Sequence, residues 1–170
     1  LLPRLVAKYR ADTSFETHLQ AYIVRNIGKG INRSLDNCIL GENLEFEWLG
    51  NEVSCGVGMQ RIDVMVSTTQ NNQRVLLPIE LKSVEADIIN TKQIQRYIDW
   101  IEQYYTPNRQ SDIQLFLVSK KIDDKTTQRY QKIVDTFNDF NTRNSRRCNS
   151  LKYIEYHLEN DDLVFEVINY

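Results

Sequence analysis

The stretches Arg61–Val66 (RIDVMV) and Leu77–Lys82 (LPIELK) decide how this sequence folds. In each, apolar side chains alternate with other residues, a pattern that predicts a β-strand. The polar residues 67–73 between them indicate a turn, so the two strands are predicted to form a hairpin. On the second strand, the two-residue period places Glu80 and Lys82 on the same face.

The predicted hairpin could bring charged side chains of the two strands close together. If the strands pair so that Asp63 lies near Glu80, two carboxylates and the ammonium group of Lys82 meet at one point. Such a set is the minimum for holding a hard divalent cation beside a reacting phosphate. The alternative is an edge hairpin with a solvated ion pair between Glu80 and Lys82, which would contribute little to stability.

These residues resemble the signature of the PD-(D/E)xK nuclease superfamily. Asp63 matches the first acid and Glu80-Leu81-Lys82 matches the ExK element, although Ile62 stands where the superfamily usually has proline. The segment Gln93-Ile94-Gln95-Arg96-Tyr97 is similar to the QxxxY motif on the helix that flanks the active site in several branches of the superfamily. The resemblance implies a metal-dependent nuclease.

The resemblance also implies a metal site. The carboxylates of Asp63 and Glu80 and the main-chain carbonyl of Leu81 would be ligands of Mg²⁺, for which Mn²⁺ could substitute. Lys82 would position the attacking water or help to deprotonate it, unless it only forms an ion pair with Glu80.

Three further residues are candidates for supporting catalytic roles. Gln93 and Tyr97 would orient the lysine or a phosphate from outside the ligand set. Glu16 lies in the first turn of the first predicted helix. There it either reaches the metal through a water molecule, as in the superfamily, or only stabilises the N-terminus of the helix.

Basic residues that could contact a nucleic-acid backbone form a further set. They are Arg61, which could instead balance the acids, and, on one basic face of the last third, Lys120, Lys121, Arg146 and Arg147. An ordinary solvated surface is the alternative for that face. The formal net charge of -2 is not typical of a tight, freestanding DNA binder. A homodimer partner or an additional upstream domain is therefore expected to help bind DNA.

The wider pattern resembles the nuclease domain of NucS/EndoMS-like mismatch endonucleases over about half of the chain. The matching segments are Phe15-Glu16-x-x-Leu19, Leu49–Val53, Gly58-x-x-Arg61-Ile62-Asp63, Ile79–Lys82 and Gln93-x-x-x-Tyr97. This resemblance implies an endonuclease that hydrolyses phosphodiester bonds of DNA, and it leaves the C-terminal extension unexplained. A restriction, defence-type or virus-encoded nuclease would carry the same core, and a nonenzymatic DNA-binding domain could keep the fold.

Length and composition indicate one globular domain. The chain has 170 residues, of which 41% are hydrophobic and 26% charged. Without an apolar run that could span a bilayer, the sequence predicts no membrane association and a cytoplasmic location. Cys38, Cys55 and Cys148 are odd in number and widely separated, which favours neither a disulfide framework nor a zinc site. Residues 1–10 are predicted to be a linker or the tail of a preceding element, and residues 11–170 the nuclease domain.

The predicted fold class is α/β: a mixed central sheet flanked by helices, with an αβββαβ restriction-endonuclease-like core, a C-terminal helix and a hairpin. Helices are predicted from Thr13 or Ser14 to Ile27 and over Ile31–Leu40, Ala86–Tyr105 and Lys125–Phe140. The other strands are predicted over Leu44–Trp48, Glu52–Cys55, Ile113–Val118, Leu151–His157 and Leu163–Ile168, with a turn at Leu49–Asn51. Gly56 and Gly58 suggest a bend before the Asp63 strand, and residues 106–108 a helix stop.

Overall fold

The computed structural model describes residues 1–41, 44–55, 60–105 and 109–170. Its helices are α1 (Leu2–Arg10), α2 (Glu16–Asn26), α3 (Arg33–Ile39), α4 (Asn90–Tyr104) and α5 (Gln128–Arg143). Its strands are β1 (Glu45–Ser54), β2 (Arg61–Gln70), β3 (Gln73–Glu85), β4 (Phe116–Lys120), β5 (Lys152–Glu159) and β6 (Asp162–Ile168), and a short 3₁₀ helix spans Gln110–Asp112.

The described strands form a six-stranded mixed sheet in the order β1-β2-β3-β4-β5-β6. Strands β1, β2 and β3 are an antiparallel meander, and β5 and β6 are an antiparallel hairpin. Between these, β4 runs parallel to both β3 and β5. The predicted fold class is therefore confirmed.

Helices cover both faces of the sheet. Helices α1 to α3 pack on one face, where Leu19 and Ile23 of α2 belong to the same buried cluster as Leu77 of β3. Helices α4 and α5 pack on the other face through residues such as Ile98 and Phe137. On α2, the buried Leu19 and Ile23 are four residues apart, the spacing of neighbours on one face of a helix.

The β2–β3 hairpin turns at Asn71 and Asn72, which have φ angles of 52° and 61°. Asparagine tolerates this left-handed conformation better than most residues and is favoured in two-residue hairpins. The prediction that residues 67–73 separate the strands was wrong for all but the centre of that segment. Ser67 and Thr68 continue β2 in the interior, because their hydroxyls donate to Glu47 (2.6 Å) and to the Val75 carbonyl (2.9 Å).

Strand β1 is continuous, so the predicted turn at Leu49–Asn51 was wrong. Gly50 suggested that turn, but in the strand its missing side chain makes room for neighbours. A Cβ atom at this position would lie 2.8 Å from Val53 Cγ2 and 3.3 Å from Trp48 Cζ3. Glycine here marks a close approach of side chains rather than a change of direction.

The other predicted elements are present with shifted ends. Helix α4 begins at Asn90 rather than Ala86, and the Asn90 side chain accepts the N–H of Asp87 (2.7 Å) in the turn before it. Strand β4 begins at Phe116 rather than Ile113. Helix α5 begins after Thr127, whose hydroxyl accepts the N–H of Tyr130 (3.1 Å), and extends to Arg143.

Residues 1–10, predicted to be a linker or tail, contain helix α1. Pro3 lies in its first turn, where proline is compatible with a helix, and Leu5 is fully buried in the core. Whether another element precedes this helix stays a prediction.

Two sequence predictions lie outside the described residues, namely the bend at Gly56 and Gly58 and the helix stop at residues 106–108. Within the described ranges, no helix is both long and apolar enough to cross a membrane.

Candidate active site

Strand pairing places Asp63 beside Glu80. The β2–β3 ladder ends at the pair Val64 and Ile79, and continuing its register by one residue brings Asp63 opposite Glu80. Asp63 Oδ2 accepts the main-chain N–H of Leu81 at 2.8 Å. The side chain of Gln20 on α2 donates to the Asp63 main-chain carbonyl at 2.8 Å. Asp63 is therefore held from both β3 and α2.

Glu80 is the most enclosed acid of this group, with 2% of the residue exposed. Its Oε1 lies 2.6 Å from Lys82 Nζ, and its Oε2 accepts the hydroxyl of Tyr97 on α4. The Tyr97 hydroxyl also lies 3.0 Å from the main-chain carbonyl of Arg61, which precedes Asp63 by two residues in β2. Burying a carboxylate is costly unless its charge is compensated, and here an ammonium group and a phenol do so.

Lys82 connects β3 to helix α2. Besides Glu80, its Nζ lies 3.4 Å from Glu16 Oε1, in the first turn of α2. Leu81 pairs with Val118 but Glu85 pairs with Lys120, so β3 advances four residues there while β4 advances two. Lys82 is thus the first residue of a bulge, a feature that re-aims side chains and is frequent beside active sites.

Burial and neighbouring charges shift the pKa values of Asp63 and Lys82. Burial, together with the nearby Glu80 carboxylate, raises the pKa of Asp63 from 3.8 to about 7, although the Leu81 N–H and Lys82 oppose the shift. Burial by itself would lower the pKa of Lys82, but attraction to Glu80, and then to Glu16 and Asp63, raises it above its ordinary value. Lys82 is therefore a cation in the metal-free protein.

The raised pKa of Asp63 predicts that the carboxylate destabilises the metal-free protein above neutral pH. A folded-state pKa near 7 against 3.8 means that the folded state binds the proton more tightly, so stability falls as pH rises between these values. In metal-free buffer, Asp63→Asn should raise the free energy of unfolding at pH 8 by up to about 4 kcal/mol and have little effect near pH 4.

Denaturant unfolding of both proteins at the two pH values measures this difference. The asparagine oxygen can still accept the Leu81 N–H, so a change in packing is not expected to mask the effect of charge. A variant that is less stable than the wild type at pH 8 would contradict the prediction.

Oxygen donors converge where a hard cation could bind. In an extended strand the N–H and C=O of one residue point to the same side, so the Leu81 carbonyl faces β2 and Asp63, as its N–H does. With the carboxylates of Asp63 and Glu80, this carbonyl forms a donor set that suits a divalent cation such as Mg²⁺. Within the described ranges there is no group of three or more acidic, histidine or cysteine side chains that could hold a metal.

The structure brings together five of the six predicted catalytic residues: Asp63, Glu80, Lys82, Glu16 and Tyr97. Gln93 is half-buried one turn before Tyr97 on α4. Among the described residues, no hydrogen bond joins it to Glu80 or Lys82. Its role stays a prediction.

The predicted nucleic-acid contacts of the last third lie at opposite ends of the parallel strands β4 and β5. Lys120 and Lys121 lie at the C-terminal end of β4, the end nearer to Lys82, because Lys120 pairs with Glu85. Arg146 and Arg147 precede the N-terminal end of β5, where Arg147 forms ion pairs with two acids of α4, Asp99 (2.7 Å) and Glu102 (2.6 Å).

Two residues that hold the site were missed by the sequence analysis. Gln20 lies one helical turn after Glu16, so helical spacing could have placed it on the same face of α2. Its side-chain amide joins the Asp63 carbonyl (2.8 Å) to Glu52 (2.9 Å), which in turn pairs with Arg61 (3.3 Å). Tyr156 on β5 donates to the main-chain carbonyl of Lys82 at 2.8 Å, and no local sequence signal connects it to the site.

The fold and site define an α/β domain in which two acids and a lysine meet on neighbouring strands of a mixed sheet, the arrangement that the nuclease resemblance implied. The chain matches no family model, and no curated protein matches it. It is similar to two solved structures described as a repair endonuclease from Pyrococcus abyssi and as an EndoMS–dsDNA complex. The first is 22% identical with a TM-score of 0.37, over 57% of this chain and 36% of that one. The second is 12% identical with a TM-score of 0.37, over 66% of this chain and 38% of that one.

A third similar structure is SfsA of Pyrococcus furiosus in complex with Ca²⁺. It is 11% identical with a TM-score of 0.42, over 91% of this chain and 68% of that one. The chain thus spans little more than a third of the two endonuclease structures. All three TM-scores are below 0.5.

Proposed function

We propose that this chain is the catalytic domain of a metal-dependent endonuclease that hydrolyses phosphodiester bonds of DNA. The observation that carries the proposal is the joint position of Asp63, Glu80 and Lys82: two acids on paired strands, with the lysine amine 2.6 Å from the buried acid. Hydrolysis of a phosphodiester needs a cation beside the phosphate and a group that handles the attacking water, and this cluster has donors for both.

In the proposed mechanism, Asp63, Glu80 and the Leu81 carbonyl would hold Mg²⁺, for which Mn²⁺ could substitute. When bound, such an ion would supply positive charge for the phosphate oxygens and would lower the pKa of a water ligand. Tyr97 donates to Glu80 Oε2 and keeps this carboxylate oriented. Lys82 positions the attacking water and offsets negative charge in the transition state, while Glu16 holds the lysine from the side of α2.

DNA is proposed as the substrate because of the sequence motifs that resemble mismatch endonucleases. A homodimer partner or an additional domain is proposed to supply much of the DNA affinity. Three of the five basic residues that were predicted to contact phosphates already form ion pairs with acids of this chain. Arg61 pairs with Glu52, Lys120 with Asp12, and Arg147 with Asp99 and Glu102. Each of these ion pairs would have to open before the cation could meet a phosphate.

The test is a cleavage assay with the full-length protein. Labelled duplex, mismatched, branched and single-stranded DNA, and RNA of the same sequences, are incubated with Mg²⁺, Mn²⁺ or EDTA. The proposal predicts cleavage of at least one DNA with either metal and none with EDTA. Binding without cleavage of any substrate would favour a nonenzymatic DNA-binding domain, and cleavage of RNA alone would overturn the assignment of the substrate.

A further inference from the structure

The bulge that begins at Lys82 changes the hydrogen bonding of this residue. The N–H of Leu81 points to β2, so by alternation the Lys82 carbonyl points to the other side, towards β4. The β3–β4 register shifts between Leu81 and Glu85, and Lys82 has no partner residue in that ladder. Its carbonyl instead accepts the hydroxyl of Tyr156, which reaches from β5 at 2.8 Å.

Tyr156 also contacts the helix that carries the other partner of Lys82. Its ring packs edge-on against Phe15, with centroids 6.2 Å apart, and Phe15 is the residue directly before Glu16 at the start of α2. The two hydroxyl oxygens of Ser14 and Ser83 lie 3.5 Å apart and link the same two segments. The fully buried side chain of Tyr156, in the C-terminal extension, thus contacts both the Lys82 bulge of β3 and the start of α2.

We propose that Tyr156 is a positioning residue of the active site, which fixes the peptide of Lys82 and thereby aims the lysine at Glu80 and Glu16. Burial raises the pKa of the Tyr156 hydroxyl, which consequently stays protonated and donates to the carbonyl. The inference rests on the proposed function for its catalytic consequence. It gives the C-terminal hairpin, which the nuclease resemblance leaves unexplained, a part in the same site.

The chain offers a matched control on the same strand. Tyr153 is also fully buried, and its hydroxyl donates to Glu155 at 2.8 Å and contacts Ser119 at 3.1 Å, so its bonds lie outside the site. Tyr156→Phe and Tyr153→Phe each remove one hydroxyl from β5 and keep the ring. Both should lower stability, but only Tyr156→Phe should lower kcat, by about tenfold, with KM unchanged within a factor of two. Equal losses of kcat in the two variants would overturn the proposal.

A double-mutant cycle separates an effect through Lys82 from a general loss of order. If Tyr156 acts only by aiming the lysine, Tyr156→Phe should change the single-turnover rate less than twofold when Lys82 is already alanine. A loss as large as in the wild-type background would mean that the hydroxyl acts on another group, and the assignment would be wrong.

A measurement without substrate makes the test independent of catalysis. In the metal-free protein, the backbone amides of residues 83–85 should exchange hydrogen faster in Tyr156→Phe than in Tyr153→Phe, because the bulge loses its bond to β5. Equal exchange in the two variants would overturn the positioning role. If the wild type cleaves no nucleic acid but the amides respond as expected, the proposed function fails while the contact of Tyr156 with the bulge stands.

Discussion

Glu80→Gln is expected to abolish cleavage, with kcat lowered by at least about 10³-fold. The substitution keeps the volume of the side chain and an oxygen that can accept the Tyr97 hydroxyl, but it removes the buried charge that would hold the metal. A loss of about 4 kcal/mol of transition-state stabilisation corresponds to this factor. Mn²⁺ binding measured by titration calorimetry should disappear together with cleavage, whereas the variant should stay folded, because Lys82 retains Glu16 as a partner.

A second buried acid provides the control for this prediction. Glu155 is also 2% exposed, lies 2.7 Å from a lysine amine, that of Lys125, and accepts a tyrosine hydroxyl, that of Tyr153 at 2.8 Å. Glu155→Gln should lower the free energy of unfolding by about 3 kcal/mol, the lower end of the range for a broken buried ion pair because Lys125 is partly exposed, and leave cleavage within a factor of two.

The two acids therefore differ in surroundings rather than in type. Only Glu80 lies beside a second carboxylate, that of Asp63, so only its loss should remove a cation site. If Glu80→Gln cleaves at the wild-type rate, or if Glu155→Gln is equally inactive, the assignment of Glu80 as a metal ligand is wrong.

The sequence predicted the meeting of Asp63, Glu80 and Lys82 because the relevant geometry is local. A two-residue period decides which side chains share a face, and a hairpin with a short turn leaves few registers in which the apolar residues of both strands remain buried. Strand geometry does not extend to Glu16. This residue was placed near the site only through the resemblance, since nothing in the sequence shows where α2 crosses the sheet.

The features that were missed depend on contacts between distant segments. The bond from Tyr156 to the Lys82 carbonyl requires that β5 lie two strands from β3 and that β4 fall out of register between them. Gly50 was misinterpreted for a related reason, because the space that it leaves is used by Trp48 and Val53, and glycine at a turn has the same sequence signal. Helix α1 is short, and its burial at Leu5 becomes visible only with the core in place.

Lys82→Ala is expected to slow the chemical step by about 10²- to 10⁴-fold, the usual contribution of a positioned acid–base group. Both acids remain in this variant, so Mn²⁺ binding and DNA binding should persist, and burst or single-turnover kinetics should assign the loss to chemistry. Without the ammonium group 2.6 Å from Glu80, two neighbouring carboxylates lose a counter-ion, and metal binding should become more stabilising to the fold than in the wild type.

Lys82→Arg distinguishes a catalytic lysine from a structural ion pair. The guanidinium can still pair with Glu80 and with Glu16, which is only half-buried at the mouth of the site, so an ion-pair role would be restored by arginine. Its planar fork places the donors differently from a single ammonium group, so a role in positioning the attacking water would not be restored. We expect the arginine variant to regain the stability of the wild type and not its rate. An arginine variant that cleaves at the wild-type rate would show that Lys82 serves only to neutralise Glu80, and the attacking water would then need another partner among the groups around Asp63.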